Sequence, residues 1–178
     1  MTHTTKQILV AIAGAAVVAL GIYKVSDTKE TTFKQVNIDY SNTVLNTTSS
    51  SYLDTIIHTG LTVQEIKDVS VVIKPMNPKV KNSFEEGNLE AFINVKDSIY
   101  NIYIDNISRD EAVTVLSHEL VHLQQYRSNN LQIKNGVPQW YGKDYDISLI
   151  PYSERPWEMD AFSKQNNIIK QIKSKLYQ

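Results

Sequence analysis

Ser108-Arg109-Asp110-Glu111-Ala112-Val113-Thr114-Val115-Leu116-Ser117-His118-Glu119-Leu120-Val121-His122-Leu123-Gln124-Gln125-Tyr126-Arg127 is the stretch from which the rest of this chain is best read. Ser108 followed three residues later by Glu111 is a capping box, in which each side chain satisfies the other residue's free backbone N–H. Asp110 and Glu111 also suit the positive end of a helix dipole. The spacing predicts one helix from the Ser108 cap to about Arg127, with Ser128-Asn129-Asn130 as its exit. Val115, Leu116, Leu120, Val121 and Leu123 give it a buried side, so it is expected to be amphipathic.

Deep in that helix stand His118 and His122, four residues apart and therefore one turn apart on one face. Two imidazoles so placed can converge on one ion, and neutral imidazole is the commonest zinc ligand. Glu119 points sideways from the pair. From there its carboxylate can take a proton from water in an open metal position, as a general base.

A hydrolytic zinc site takes three protein ligands and keeps one position open. The chain has no cysteine, so thiolate ligands, cysteine nucleophiles and disulfides are all excluded. His122 is its last histidine, and His3 and His58 lie far upstream, so a downstream carboxylate is the expected third ligand. Glu154, Glu158 and Asp160 are the candidates. Glu158 is favoured because Ala161, Phe162, Gln165 and Ile169 follow it at helical spacing, as an inward stripe. A carboxylate on such a stripe needs a partner. A metal would be one, and a salt bridge to Arg155 or to a lysine is the ordinary alternative.

Outward from this helix, Leu89 to Val95 and Ser98 to Ile104 read as a strand hairpin, and Val69 to Ile73 as a strand stopped by Pro75. Leu53 to His58 reads as a short helix ended by Gly60. Downstream, Leu131 to Lys134 and Val137 to Tyr141 flank the turn dipeptide Asn135-Gly136, with Pro138 expected to confine the second arm to a sheet edge or a loop. A last helix begins near Pro156 and runs towards Leu176.

The division expected is residues 1–25 as an anchor or signal segment, 26–51 as a polar tether with a short strand at Phe33 to Tyr40, and 52–178 as the compact domain. Gln7 to Tyr23 is uncharged and flanked by Lys6 and Lys24, which suits a short transmembrane helix in contact with a lipid bilayer. Ala19-Leu20-Gly21 would equally serve as the cleavage site of a signal peptide. A formal net charge of −1 offers no basic surface for nucleic acid.

These residues carry a resemblance. His118-Glu119-x-x-His122 with a carboxylate on the next major helix looks like the gluzincin branch of the zincin metallopeptidases. Tyr152-Ser153-Glu154-Arg155-Pro156-Trp157-Glu158-x-x-Ala161 resembles the C-terminal motif of small HExxH proteins from bacteria and their phages. The likeness covers roughly Leu89 to Ile172. It implies an α+β, zincin-like domain of a small mixed sheet, an active-site helix and a C-terminal helix. It implies His118, His122 and Glu158 as ligands of Zn2+, Glu119 as general base, and a peptide or protein substrate. The pattern often has an Asp four residues after the ligand Glu. Here that position is Phe162, so support for the histidines must come from elsewhere. Tyr145 and Tyr152 are candidate donors to a transition-state oxyanion. The expectation is a membrane-anchored zinc metallopeptidase-like protein. The alternative is a non-catalytic membrane or virion component that keeps the fold for structure or assembly.

Overall fold

Runs rich in β-branched residues supply one layer of this fold and three helices supply the other. The computed structural model describes residues 50–76 and 89–178, together with the backbone of Leu9 and Val10. Its elements are β1 (Leu9–Val10), α1 (Ser50–Val63), β2 (Ser70–Pro75), β3 (Leu89–Lys96), β4 (Ile99–Ile104), α2 (Arg109–Arg127), β5 (Leu131–Lys134), β6 (Val137–Trp140), β7 (Lys143–Asp144) and α3 (Pro156–Leu176). Two single 3-10 turns, Ile147–Leu149 and Tyr152–Glu154, lead into α3. The chain is thus α+β.

The first sheet has the order β1-β3-β4-β2. β3 and β4 form the expected antiparallel hairpin, with Ala91 opposite Ile104 and Ile93 opposite Ile102. β2 runs parallel to β4, with Val71 opposite Tyr100 and Ile73 opposite Ile102. One face of this sheet (Val71, Ile73, Ala91, Ile93, Ile102, Ile104) packs against apolar side chains of all three helices, among them Leu53, Ile56, Ile57, Val113, Leu116, Leu120, Leu123, Ile168 and Ile172. On β3 and β4, Phe92 stacks on Tyr103 with ring centroids 4.6 Å apart.

α2 begins as expected. Ser108 Oγ accepts from the Glu111 N–H at 3.3 Å and the Ser108 N–H donates to Glu111 Oε2 at 3.0 Å. Its exit is the expected one too: Asn129 takes a left-handed φ of 58°, and the Asn130 N–H turns back to the Gln125 carbonyl at 3.0 Å. The helix is not two-faced, however. From Ala112 to Gln125 nearly every side chain but Thr114 and Gln124 is buried, because the sheet and both other helices pack around it. α3 starts at Pro156 and ends at Leu176, as expected.

Two expectations are corrected. α1 runs through Gly60 and ends at Val63, where Glu65, with φ 56°, closes it by left-handed turn bonds (Ile66 N–H to the Leu61 carbonyl, 2.9 Å). Gly60 serves a close approach instead of a stop: a Cβ there would lie 2.3 Å from Leu120 Cδ1 of α2. Pro138, expected at an edge, sits in the middle strand of the second sheet, β5-β6-β7. A strand residue turns its N–H and C=O to the same side. The Pro138 carbonyl accepts from the Tyr145 N–H at 2.9 Å, so its missing N–H faces Tyr145, one residue past the end of β7, and not β5. The turn between β5 and β6 is the expected one, with Asn135 at φ 52° and Gly136 at φ 81°.

The proposed strand at Phe33 to Tyr40 and the polar tether lie outside the described residues. Of the segment Gln7 to Tyr23, Leu9 and Val10 form a two-residue strand parallel to β3, and the remainder lies outside. No helix among the described residues is long and apolar enough to cross a membrane.

Gly60→Ala should destabilise the protein by about 1–3 kcal/mol, although alanine is the better helix former, because the added methyl overpacks the α1–α2 contact. Urea unfolding checks this. A stabilised variant would show that Leu120 yields freely.

Candidate metal centre

The i, i+4 spacing on α2 does what helical geometry requires: the two imidazoles converge, with His118 Nε2 and His122 Nε2 3.0 Å apart. α3 crosses α2 and brings the Glu158 carboxylate to the same point. Glu158 Oε2 is 3.1 Å from His118 Nε2 and 3.3 Å from His122 Nε2. His118, Glu119, His122 and Glu158 are all fully buried. The three candidate ligands gather as one group able to hold a metal ion. Of the other carboxylates weighed, Glu154 is exposed, and Asp160 turns to Gln125 and Lys164. His58 is exposed on α1.

The outer nitrogens of the rings are held by amides. His118 Nδ1 donates to Gln165 Oε1 at 2.7 Å and His122 Nδ1 donates to Gln125 Oε1 at 2.8 Å. With both Nδ1 atoms acting as donors, the neutral rings turn bare Nε2 lone pairs towards each other and towards a carboxylate oxygen. Three acceptors thus meet at one buried point. The Tyr152 hydroxyl comes to the same point and bonds Glu158 Oε2. Such a cluster calls for a cation. Its size is close to what one needs: ligand atoms about 2.0–2.2 Å from a tetrahedral ion stand about 3.3–3.6 Å apart, a few tenths of an ångström wider than here.

The electrostatics point the same way. Burial alone would lower the His122 imidazole, yet the Glu158 and Glu119 carboxylates hold it up to about 9. Burial would raise Glu158, but the two histidines hold it down to about 2. His118 is lowered, chiefly by burial. Glu119 is pushed up to about 8 by burial, with the neighbouring Glu158 charge adding to it and His122 and the Ile93 backbone of β3 opposing. Glu158 Oε1 is buried without a hydrogen-bond partner, and the Glu119 oxygens have no side-chain partner and meet only the Ile93 backbone of β3. An orphaned carboxylate costs several kcal/mol unless something charged or polar meets it, at least about 1–3.

Of the two tyrosines considered as oxyanion donors, the fold brings Tyr152 to the site and leaves Tyr145 edge-on to Trp157, ring centroids 5.8 Å apart. Phe162 occupies the place of the absent aspartate and packs on the His118 ring at 4.8 Å. Gln125 and Gln165 are the residues that sequence reading missed. Their signal was there: Gln125 is three residues after His122, on the same face of α2, and Gln165 is two turns after Glu158 on the inward stripe.

In comparisons with known proteins, the chain matches no family model, no curated protein and no solved structure.

Glu158→Gln should weaken zinc retention roughly tenfold or more, whereas Glu154→Gln at the surface should leave it unchanged. A metal must displace the proton that His122 holds up to about 9, so affinity should rise as pH increases towards that value. Chelator competition across pH measures both. The reverse ranking of the two glutamates would contradict the ligand assignment.

Proposed function

We propose that this chain is a zincin-like zinc metallopeptidase in which His118, His122 and Glu158 hold the metal and Glu119 is the general base. The single observation that carries the reading is Glu119. A cluster that held an ion for structure alone would gain nothing from a second carboxylate buried beside it with no side-chain partner. A base that meets its proton donor only during the reaction accounts for that cost.

Bound zinc would supply Lewis acidity, making a water more acidic and polarising a carbonyl. The chain's own residues do the remainder. Gln125 and Gln165 fix the ring orientation of the two histidines. Glu119, held up to about 8 by burial and brought down were a dication bound beside it, would accept the proton of the attacking water and return it to the leaving amine. The Tyr152 hydroxyl, bonded to Glu158 Oε2, would donate to charge that develops on the carbonyl oxygen once it leaves Glu158. The Ile93 backbone of β3 meets Glu119 from the sheet.

Complete burial of the four residues favours a second reading, a metal held for structure or assembly. Turnover requires the side chains over the cluster, Tyr152 and Phe162 among them, to move aside for substrate. The two readings separate on one variant. Glu119→Gln should keep zinc and fold and abolish peptide hydrolysis, while His118→Ala should lose both zinc and hydrolysis. Equal turnover in wild type and Glu119→Gln would contradict the base assignment, and zinc-loaded wild type inert towards a broad peptide library would favour the structural reading.

The uncharged, lysine-flanked run at 7–23 supports membrane attachment of this domain. Pairing of Leu9–Val10 with β3 and insertion of the same residues in a bilayer exclude each other. The full chain should fractionate with membranes, and a chain starting near Thr31 should not. Recovery of the full chain in the soluble fraction would favour the strand.

A further inference from the structure

Gln125 is nearly fully buried between the metal cluster and the first turns of α3. Its Nε2 donates both protons to α3, one to the Trp157 carbonyl at 2.9 Å and one to Asp160 Oδ2 at 2.9 Å. That leaves Oε1 to face His122 Nδ1 at 2.8 Å. A flipped amide would set an oxygen against a carbonyl and a carboxylate, and an N–H against a ring N–H. The amide therefore has one orientation, and with it His122 has one tautomer, the one that aims Nε2 at the cluster.

We propose that Asp160, which is not a ligand, sets the metal affinity of this centre through Gln125. The inference rests on the metal reading above. Asp160 does two things to the amide. It locks the orientation that the Trp157 carbonyl alone would hold less firmly. It also polarises the amide, so that Oε1 becomes a stronger acceptor and the His122 ring a better electron donor. Asp160 thereby does at two bonds' remove what a carboxylate bonded directly to a histidine does elsewhere. Its carboxylate is 23% exposed and is gripped by Lys164 Nζ at 2.8 Å, four residues on. Lys164 is 55% exposed, so this outer pair is screened by water and adds little. Asp160 is a positioning residue in this account, and the surface lysine behind it is not.

The test uses the full chain with Asp160→Ala, Asp160→Asn and Lys164→Ala. Chelator competition should show zinc affinity about tenfold weaker in Asp160→Ala. The loss should be smaller in Asp160→Asn, which can still accept from Gln125, and Lys164→Ala should match wild type. The cobalt-loaded Asp160→Ala protein should keep the wild-type visible spectrum, because no ligand is lost. A merely structural role would lower the melting temperature and leave zinc affinity unmoved. In the metal-free protein, the His122 Nδ1–H should give a slowly exchanging downfield proton resonance in wild type that is lost in Asp160→Ala. Loss of that resonance in a protein that takes up no zinc would remove the metal reading and leave the Asp160–Gln125 link standing. Wild-type zinc affinity in Asp160→Ala, a cobalt spectrum showing a lost ligand, or an unchanged His122 resonance would each overturn the proposal.

Discussion

Three lone pairs converge on one buried point, and the rest of the structure depends on how that is tolerated. His118 Nε2, His122 Nε2 and Glu158 Oε2 lie 3.0–3.3 Å from one another where water does not reach. Two neutral acceptors and a carboxylate at such distances repel unless a proton or a cation lies among them. The metal-free chain meets the demand with protons, which is why His122 holds its proton up to about 9 while Glu158 stays ionised down to about 2. A dication meets it better, since one ion serves all three atoms.

Several features of the fold then have a common purpose. The Ser108 capping box and the Asn129 exit bound a helix long enough to carry both histidines in its middle, away from the fraying ends. Gly60 lets α1 press against Leu120, the residue after Glu119, so the turn that bears the site is supported from behind. α3, begun by Pro156, delivers Glu158 in its first turn and Gln165 two turns on, so one helix supplies both a carboxylate for the cluster and an amide for His118. The sheet closes the remaining side through Ile93.

Much of this could be read from the chain because it is local. Caps, turn dipeptides and the i, i+4 pair are decided within a few residues, and α2, α3, the β3–β4 hairpin and the Asn135-Gly136 turn all lie where their residues placed them. Glu158 could be singled out from Glu154 and Asp160 because an apolar stripe reports which side of a helix is inward. The misses depend on contacts between elements. Whether Gly60 ends a helix or admits a neighbour is decided by Leu120, sixty residues away. Whether Pro138 can sit in a middle strand depends on which side its missing N–H faces, and β7 is too short to need it. Gln125 could have been found from its place three residues after His122 on α2, whereas Gln165 reaches His118 only through the crossing of α2 and α3. An aspartate four residues after Glu158 was the position to inspect, and the chain has put Phe162 there and moved the support to amides.

The central claim is that the His118–His122–Glu158 cluster binds one zinc through two imidazoles and a carboxylate. X-ray absorption at the zinc edge of the loaded wild-type protein tests it most directly. One zinc per chain is expected, with four or five nitrogen and oxygen neighbours at about 2.0–2.2 Å and the outer-ring scattering of two histidines. A protein that takes up no stoichiometric zinc, or a zinc surrounded by oxygen without imidazole scattering, would contradict it.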